Sequence, residues 1–270
     1  TAHISNISYE IFEKDTFLEI YYLLYQTHGE GATLDQLQKL KRNLLAHAKF
    51  CEPQEAFDLF TGTINNFTRF SKRTGQSLLE EIFELYQQFV ESLGNTIEKK
   101  LNRSHFKNIV YLGGRLGKCD WVEEFIKKGS DWLEGDDYST TLEYNHGVLH
   151  FYKGEFDASI RNLNRVMADV KDIFYAFDAR SYLLMCFFET GETLGMESLV
   201  HSFRMLLERS NRVSDQHKNT YLAFLRAFRK MLNTPPNDQI RLQQLKAEID
   251  LLQLSGGKQW LLKKVADMEN

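Results

Sequence analysis

The chain has 270 residues, 43% of them hydrophobic and 26% charged, with a formal charge of −4. A charge this mild does not make nucleic acid or an anionic membrane a general partner. No apolar run approaches the ~20 residues that span a bilayer, and the opening stretch "TAHISNISYEIFEKD" lacks the basic and apolar segments of a secretion signal.

Taken in chain order, apolar residues recur at helical rather than alternating spacing. Leu34, Leu37, Leu44 and Ala48 trace a first stripe interrupted by Lys41. Phe57, Phe60, Ile64 and Phe67 trace a second, after a Pro53 placed where a first helical turn tolerates its missing N–H. Leu79, Ile82, Tyr86, Phe89 and Leu93 trace a third. Helices this short are marginal alone, so each stripe must pack on neighbours. No Val/Ile/Thr-rich alternating segment suggests a sheet. The expected fold is all-α.

Gly117, Gly154 and Gly191 then fall at even intervals (154 − 117 and 191 − 154 both give 37), each between two helical stretches. A tight helix-to-helix turn needs a residue that tolerates positive φ. Stepping five, nine and twelve residues past each glycine gives Val122, Ile126, Gly129; Ser159, Leu163, Val166; and Met196, Val200, Phe203. Those offsets describe one face of a second helix in each unit. A period of this size predicts a solenoid of helical hairpins, each unable to bury its apolar face without the next. Leu163 is expected between the two helices of the middle unit, and Asp169 just beyond its apolar stripe.

These residues also carry a resemblance. "HGVLHFYKGEFDASIRNLNRV" resembles a tetratricopeptide repeat, with Gly147 in the first helix, Gly154 and Phe156 at the turn and Ser159 at the small position. "YLGGRLGKCDWVEEFI" and "SYLLMCFFETGETLGMESLVHSFRML" are similar to degenerate copies. On "FYAFDARSYLLMCFFETGE" and "KQWLLKKV", the chain from about residue 103 onward resembles an uncharacterised bacterial family of tetratricopeptide-like proteins. The resemblance implies a right-handed α-α superhelix of hairpins with a ligand groove on its concave side. The 37-residue period departs from the family's usual length of roughly 34. The first third shows no clear repeat signature.

Past the third unit, "SDQHKNTYLAFLRAFRKML" predicts a helix with Tyr221, Phe224, Phe228 and Met231 inward, ended by Pro235-Pro236. "NDQIRLQQLKAEIDLLQL" and a last short helix with Trp260 are expected to cap the stack. The organisation expected is therefore 1–102 as helical hairpins without repeat signature, 103–213 as repeats and 214–270 as capping helices, in one continuous solenoid.

Catalytic signatures are weak. His146 and His150 share a helical face at i, i+4 and are the best candidates for a metal-dependent enzyme. Gly147 stands where a zinc protease has its general-base Glu, and the repeat phase puts both histidines at packing positions. Gly256-Gly257-Lys258 lacks the earlier glycine and the Ser/Thr of a phosphate loop. Cys51, Cys119 and Cys186, odd in number and without a CxxC pair, fit helix cores in a reduced, cytoplasmic setting. No enzymatic activity, cofactor or metal is expected.

Binding has better candidates. Asn108 and Asn145 occupy one place in two units (145 − 108 = 37). The resemblance implies that an asparagine there lines the groove and holds ligand backbone. An amide suits that work, since it donates and accepts without the desolvation cost of a charge. Lys107 precedes Asn108; Tyr111 and Arg115 continue its face, and Tyr144 and Tyr152 flank Asn145. In the third unit Tyr182 stands at the asparagine's place, with Arg180 a possible substitute for a basic contact. The expected partner is a protein or peptide that the sequence does not identify. An alternative is an acidic ligand or nucleic acid on residues 204–230, where Arg204, Arg209, Arg212, Lys218, Arg226, Arg229 and Lys230 face only Glu208 and Asp215.

Overall fold

The computed structural model describes residues 16–93, 101–133, 138–169, 171–211, 213–252 and 257–269. Among these residues there is no strand; the fold is all-α. The chain divides into two compact units, Thr1–Lys100 and Leu101–Asn270.

The first unit holds α1 (Thr16–His28), α2 (Leu34–His47), α3 (Pro53–Thr74) and α4 (Leu79–Leu93). Thr33 opens α2 with a reciprocal capping box to Gln36, and Pro53 occupies the first turn of α3 as its chemistry predicts. The expected stripes converge on a core of Leu37, Leu44, Phe60, Ile64, Phe67, Ile82, Tyr86 and Phe89, all buried. Lys41, the odd residue of its stripe, is 8% exposed and places its Nζ 2.5 Å from Glu84 on α4. Its stem lies along the apolar face and its ammonium emerges at the edge. Asn66 on α3 ties α1 down by donating to Leu24 O and Thr27 Oγ1, both at 2.8 Å.

The second unit holds the hairpins α5 (Arg103–Arg115)/α6 (Cys119–Gly129), α7 (Tyr138–Lys153)/α8 (Phe156–Asp169) and α9 (Ile173–Thr190)/α10 (Thr193–Arg209). After them come α11 (Asp215–Leu232), α12 (Gln239–Leu251) and α13 (Gly257–Glu269). Every hairpin turns on its predicted glycine, with φ of 71° at Gly117, 76° at Gly154 and 73° at Gly191. A Cβ there would meet the carbonyl, so the period marks a backbone requirement. Each helix packs on the next, and α7 also packs on α5 and α9, which is the stacking of a helical repeat.

The predicted second-helix faces point inward. Val122, Ile126, Ser159, Leu163, Val166, Met196 and Phe203 are buried, and Val200 is half-buried. The small residues have a purpose at the middle hairpin. Ser159 on α8 donates to Gly147 O on α7 at 2.7 Å, and the Cys186 thiol on α9 donates to Ser159 Oγ at 3.3 Å. A small hydroxyl residue lets three helices meet and leaves no polar atom orphaned there. Trp260 on α13 lies on Phe188 and Phe228 and donates its indole N–H to Glu189 at 2.7 Å. The side chain of Asp169 lies outside the described residues.

Candidate functional site

The side of the second unit formed by the first helices of successive hairpins carries an open-mouthed cavity of about 230 Å³. The repeat register builds it. Lys107, Tyr144 and Ser181, each 37 residues from the next (144 − 107 and 181 − 144), all line it. α5 adds Asn108 and Tyr111, α9 adds Asp178, Tyr182 and Met185, and α11 adds Thr220, Tyr221 and Phe224. Gly257 closes one edge, where any Cβ would lie 2.7 Å from the Phe224 ring.

Asp178 is the polar centre. It accepts from Lys107 Nζ at 2.5 Å and from the Tyr221 hydroxyl at 2.7 Å, so it joins α5, α9 and α11. The Lys107 ammonium also lies 5.3 Å from the centre of the Tyr175 ring and 6.0 Å from that of Tyr144. Aromatic faces carry partial negative charge and favour a cation in that place. Tyr144 packs edge-on to Tyr175 and Tyr182, with centroids 4.7 and 6.4 Å apart. Burial pushes the Tyr144 and Tyr182 hydroxyls well above the ordinary phenol range. Both are neutral phenols across physiological pH. The rim is wetter: Asn108 is exposed, and Arg115 donates to the Tyr111 hydroxyl at 3.1 Å.

The predicted site residues divide. Lys107, Asn108, Tyr111 and Tyr144 line one cavity, and Arg115 stands beside it through Tyr111. Tyr152 forms backing: its hydroxyl lies 3.4 Å from that of Tyr182, and its ring fills the space beside Gly114, where a Cβ would come within 2.3 Å. Arg180 turns away, donating to Ala176 O at 2.9 Å and to Met167 Sδ at 3.1 Å. Asn145 corrects the register argument. It is 0% exposed and donates to Thr141 O at 2.7 Å, so its amide does not face solvent. α7 is hemmed in by α5, α6, α8 and α9, whereas within this unit α5 opens the stack. The same place in the repeat is therefore a rim on α5 and interior on α7.

Asp178, Ser181, Tyr182, Met185, Thr220, Tyr221 and Phe224 complete the lining without having been singled out as contacts. Ser181 was accessible through the step from Lys107 to Tyr144 carried one unit further. Asp178 has no such signal, since Thr141 and Ser104 stand at its place in the earlier units.

The competing sites look different. His146 is half-buried and burial lowers its basicity; His150 Nδ1 lies 2.5 Å from Glu155. Among the described residues no group of three or more His, Cys, Asp and Glu side chains could hold a metal. Lys258 donates to Asp250 O. In the basic run, Arg204 pairs with Glu208, Lys218 with Asp215 and Lys230 with Glu248, while Arg226 and Arg229 are exposed. Arg212 lies outside the described residues. Arg229 also lines a groove of about 310 Å³ with Met196, His201 and Arg204. Among the described residues no helix is long and apolar enough to cross a membrane.

No protein-family description and no curated protein matches the sequence. Among solved structures, a tetratricopeptide repeat protein from Parabacteroides merdae is similar over 95% of this chain and 94% of its own, at 15% identity and a TM-score of 0.47.

Proposed function

We propose that the chain is a non-enzymatic scaffold that holds an extended segment of a partner protein in the groove of its second unit. The observation that carries this is the lining itself. The first helices of successive hairpins supply side chains to one cavity, with tyrosine walls below and amide and hydroxyl groups at the rim. Such a surface offers apolar area for side chains and paired donors and acceptors for ligand backbone. Asn108 and Tyr111 are the rim contacts, Lys107 and Asp178 the charged pair at the centre, and Tyr144, Tyr182 and Tyr221 the wall. Tyr152 supports the wall from behind.

Selection from a random peptide library tests this. Peptides enriched on the wild-type chain should bind the Asn108→Ala variant more weakly by ~1–3 kcal/mol, with thermal stability nearly unchanged. Equal binding by both proteins would move the site elsewhere. A second reading rests on Arg226 and Arg229, both exposed, which would attract an acidic partner to the face formed by α10 to α12. Affinity on that face would fall steeply with salt.

A further inference from the structure

We infer that the cavity receives a basic side chain of the partner, an arginine or lysine that replaces Lys107 against Asp178 and the tyrosine rings. This deepens the peptide-binding reading and rests on it.

Lys107 and Asp178 stand on the first helices of the first and third hairpins, 71 residues apart, with α6, α7 and α8 between them in the chain. The lysine spans the groove to reach a carboxylate that a tyrosine hydroxyl already holds from α11. Its ammonium meets two ring faces there. The structure thus contains a working cation site, occupied by the protein's own residue. The two halves of the pair are not equivalent. Asp178 is the deeper, with its side chain 17% exposed, and is fixed by two donors on two helices. Lys107 is 26% exposed and sits on a flexible stem at the mouth. The cation is therefore the exchangeable partner and the carboxylate the fixed receptor.

Charge and size agree. Lys107 and Asp178 are the charged residues of the lining, so with the lysine swung out the cavity presents one carboxylate among ring faces. An arriving cation restores neutrality, whereas an arriving carboxylate would meet Asp178. The space of about 230 Å³ already present beside Lys107 admits one anchoring side chain. Exchange of one cation for another leaves the pair's electrostatic energy nearly unchanged. The lysine thus acts as a plug that sets the threshold for binding.

The test uses the full chain with ¹³C-methyl methionine labels, read at Met185, which lines the cavity. The probes are N-acetyl-arginine methylamide, its neutral isostere N-acetyl-citrulline methylamide, and N-acetyl-glutamate methylamide. The arginine probe should shift the Met185 methyl saturably and bind about tenfold or more tighter than citrulline. Lys107→Met should tighten arginine binding by about tenfold, because the internal competitor is gone. Lys107→Met/Asp178→Asn should erase the preference for arginine over citrulline. That double variant carries no unpaired charge, and its melting curve checks folding independently. Weaker arginine binding by Lys107→Met, equal binding of citrulline, tighter binding of glutamate, or no shift with any probe would each overturn the inference. A library-selected peptide that shifts Met185 whether or not its basic residue is replaced would overturn it too, and would leave the peptide-binding reading standing.

Discussion

Replacing Gly147 and Leu163 together probes the packing that sets the repeat. Leu163 is wholly buried on α8, and it reaches α7 through the gap that Gly147 leaves. A Cβ at 147 would lie 2.8 Å from Leu163 Cγ and 2.9 Å from its Cδ2, closer than carbon atoms approach. Leu163→Ala should cost ~2–5 kcal/mol, from lost burial and the cavity left behind. Gly147→Ala alone should cost ~1–3 kcal/mol in overpacking, offset by the ~1 kcal/mol that alanine gains over glycine within a helix. In the double variant the new methyl enters the space the leucine vacates. The clash disappears and the helical gain remains, so the double variant should be more stable than Leu163→Ala by ~1 kcal/mol or more. Its two changes should couple by ~1–3 kcal/mol. Urea titration followed by tryptophan fluorescence measures this cleanly, since Trp121, Trp132 and Trp260 are the chain's three tryptophans and all fall in the second unit. Additivity within ~0.5 kcal/mol would refute the reasoning, because it would mean that the two side chains do not share one space.

Other outcomes follow from the same contacts. Asn108→Ala should leave stability within ~0.5 kcal/mol, as befits an exposed rim residue, while Asn145→Ala should cost more, because it leaves a cavity in the interior and removes the amide's bond to Thr141 O, although its Oδ1 has no partner to lose; thermal melts of both variants compare them. Lys41→Met should change stability by less than ~1 kcal/mol in urea, since a methionine keeps the buried stem and Glu84 is exposed enough to rehydrate. Burial pushes the Cys186 thiol up to about 12, above its ordinary 9.0. The stability held by its neutral form is therefore complete below pH 9 and lost as pH rises toward 12. Cys186→Ala should show a shallower alkaline decline in melting temperature over that window, and the native thiol should not react with a disulfide reagent until the chain unfolds.

The repeat was legible because its requirements are local. A positive φ at Gly117, Gly154 and Gly191 demands glycine, and a shared face at Val122, Ser159 and Met196 demands apolar or small residues. Both leave marks at a fixed period. The groove was legible only in part, since facing solvent depends on neighbours that a register cannot see. Asn108 and Asn145 share a place in the period and differ in exposure because α7 is enclosed on more sides than α5. Tyr221 reads from its spacing as a core residue, yet its hydroxyl reaches Asp178 from the cavity wall. Asp178 itself stands at a place where the earlier units have Thr141 and Ser104. A residue that appears once in a repeat carries no periodic signal.

The groove as the binding face is tested most directly by methyl spectra of the methionine-labelled chain with a library-selected peptide. Met185 lines the tyrosine cavity and Met196 lines the groove beside Arg204 and Arg229, so the two report on the rival surfaces in one spectrum. Binding in the proposed groove predicts a saturable shift of the Met185 methyl with Met196 unmoved. A shift of Met196 with Met185 unmoved would contradict it and place the partner on the basic face.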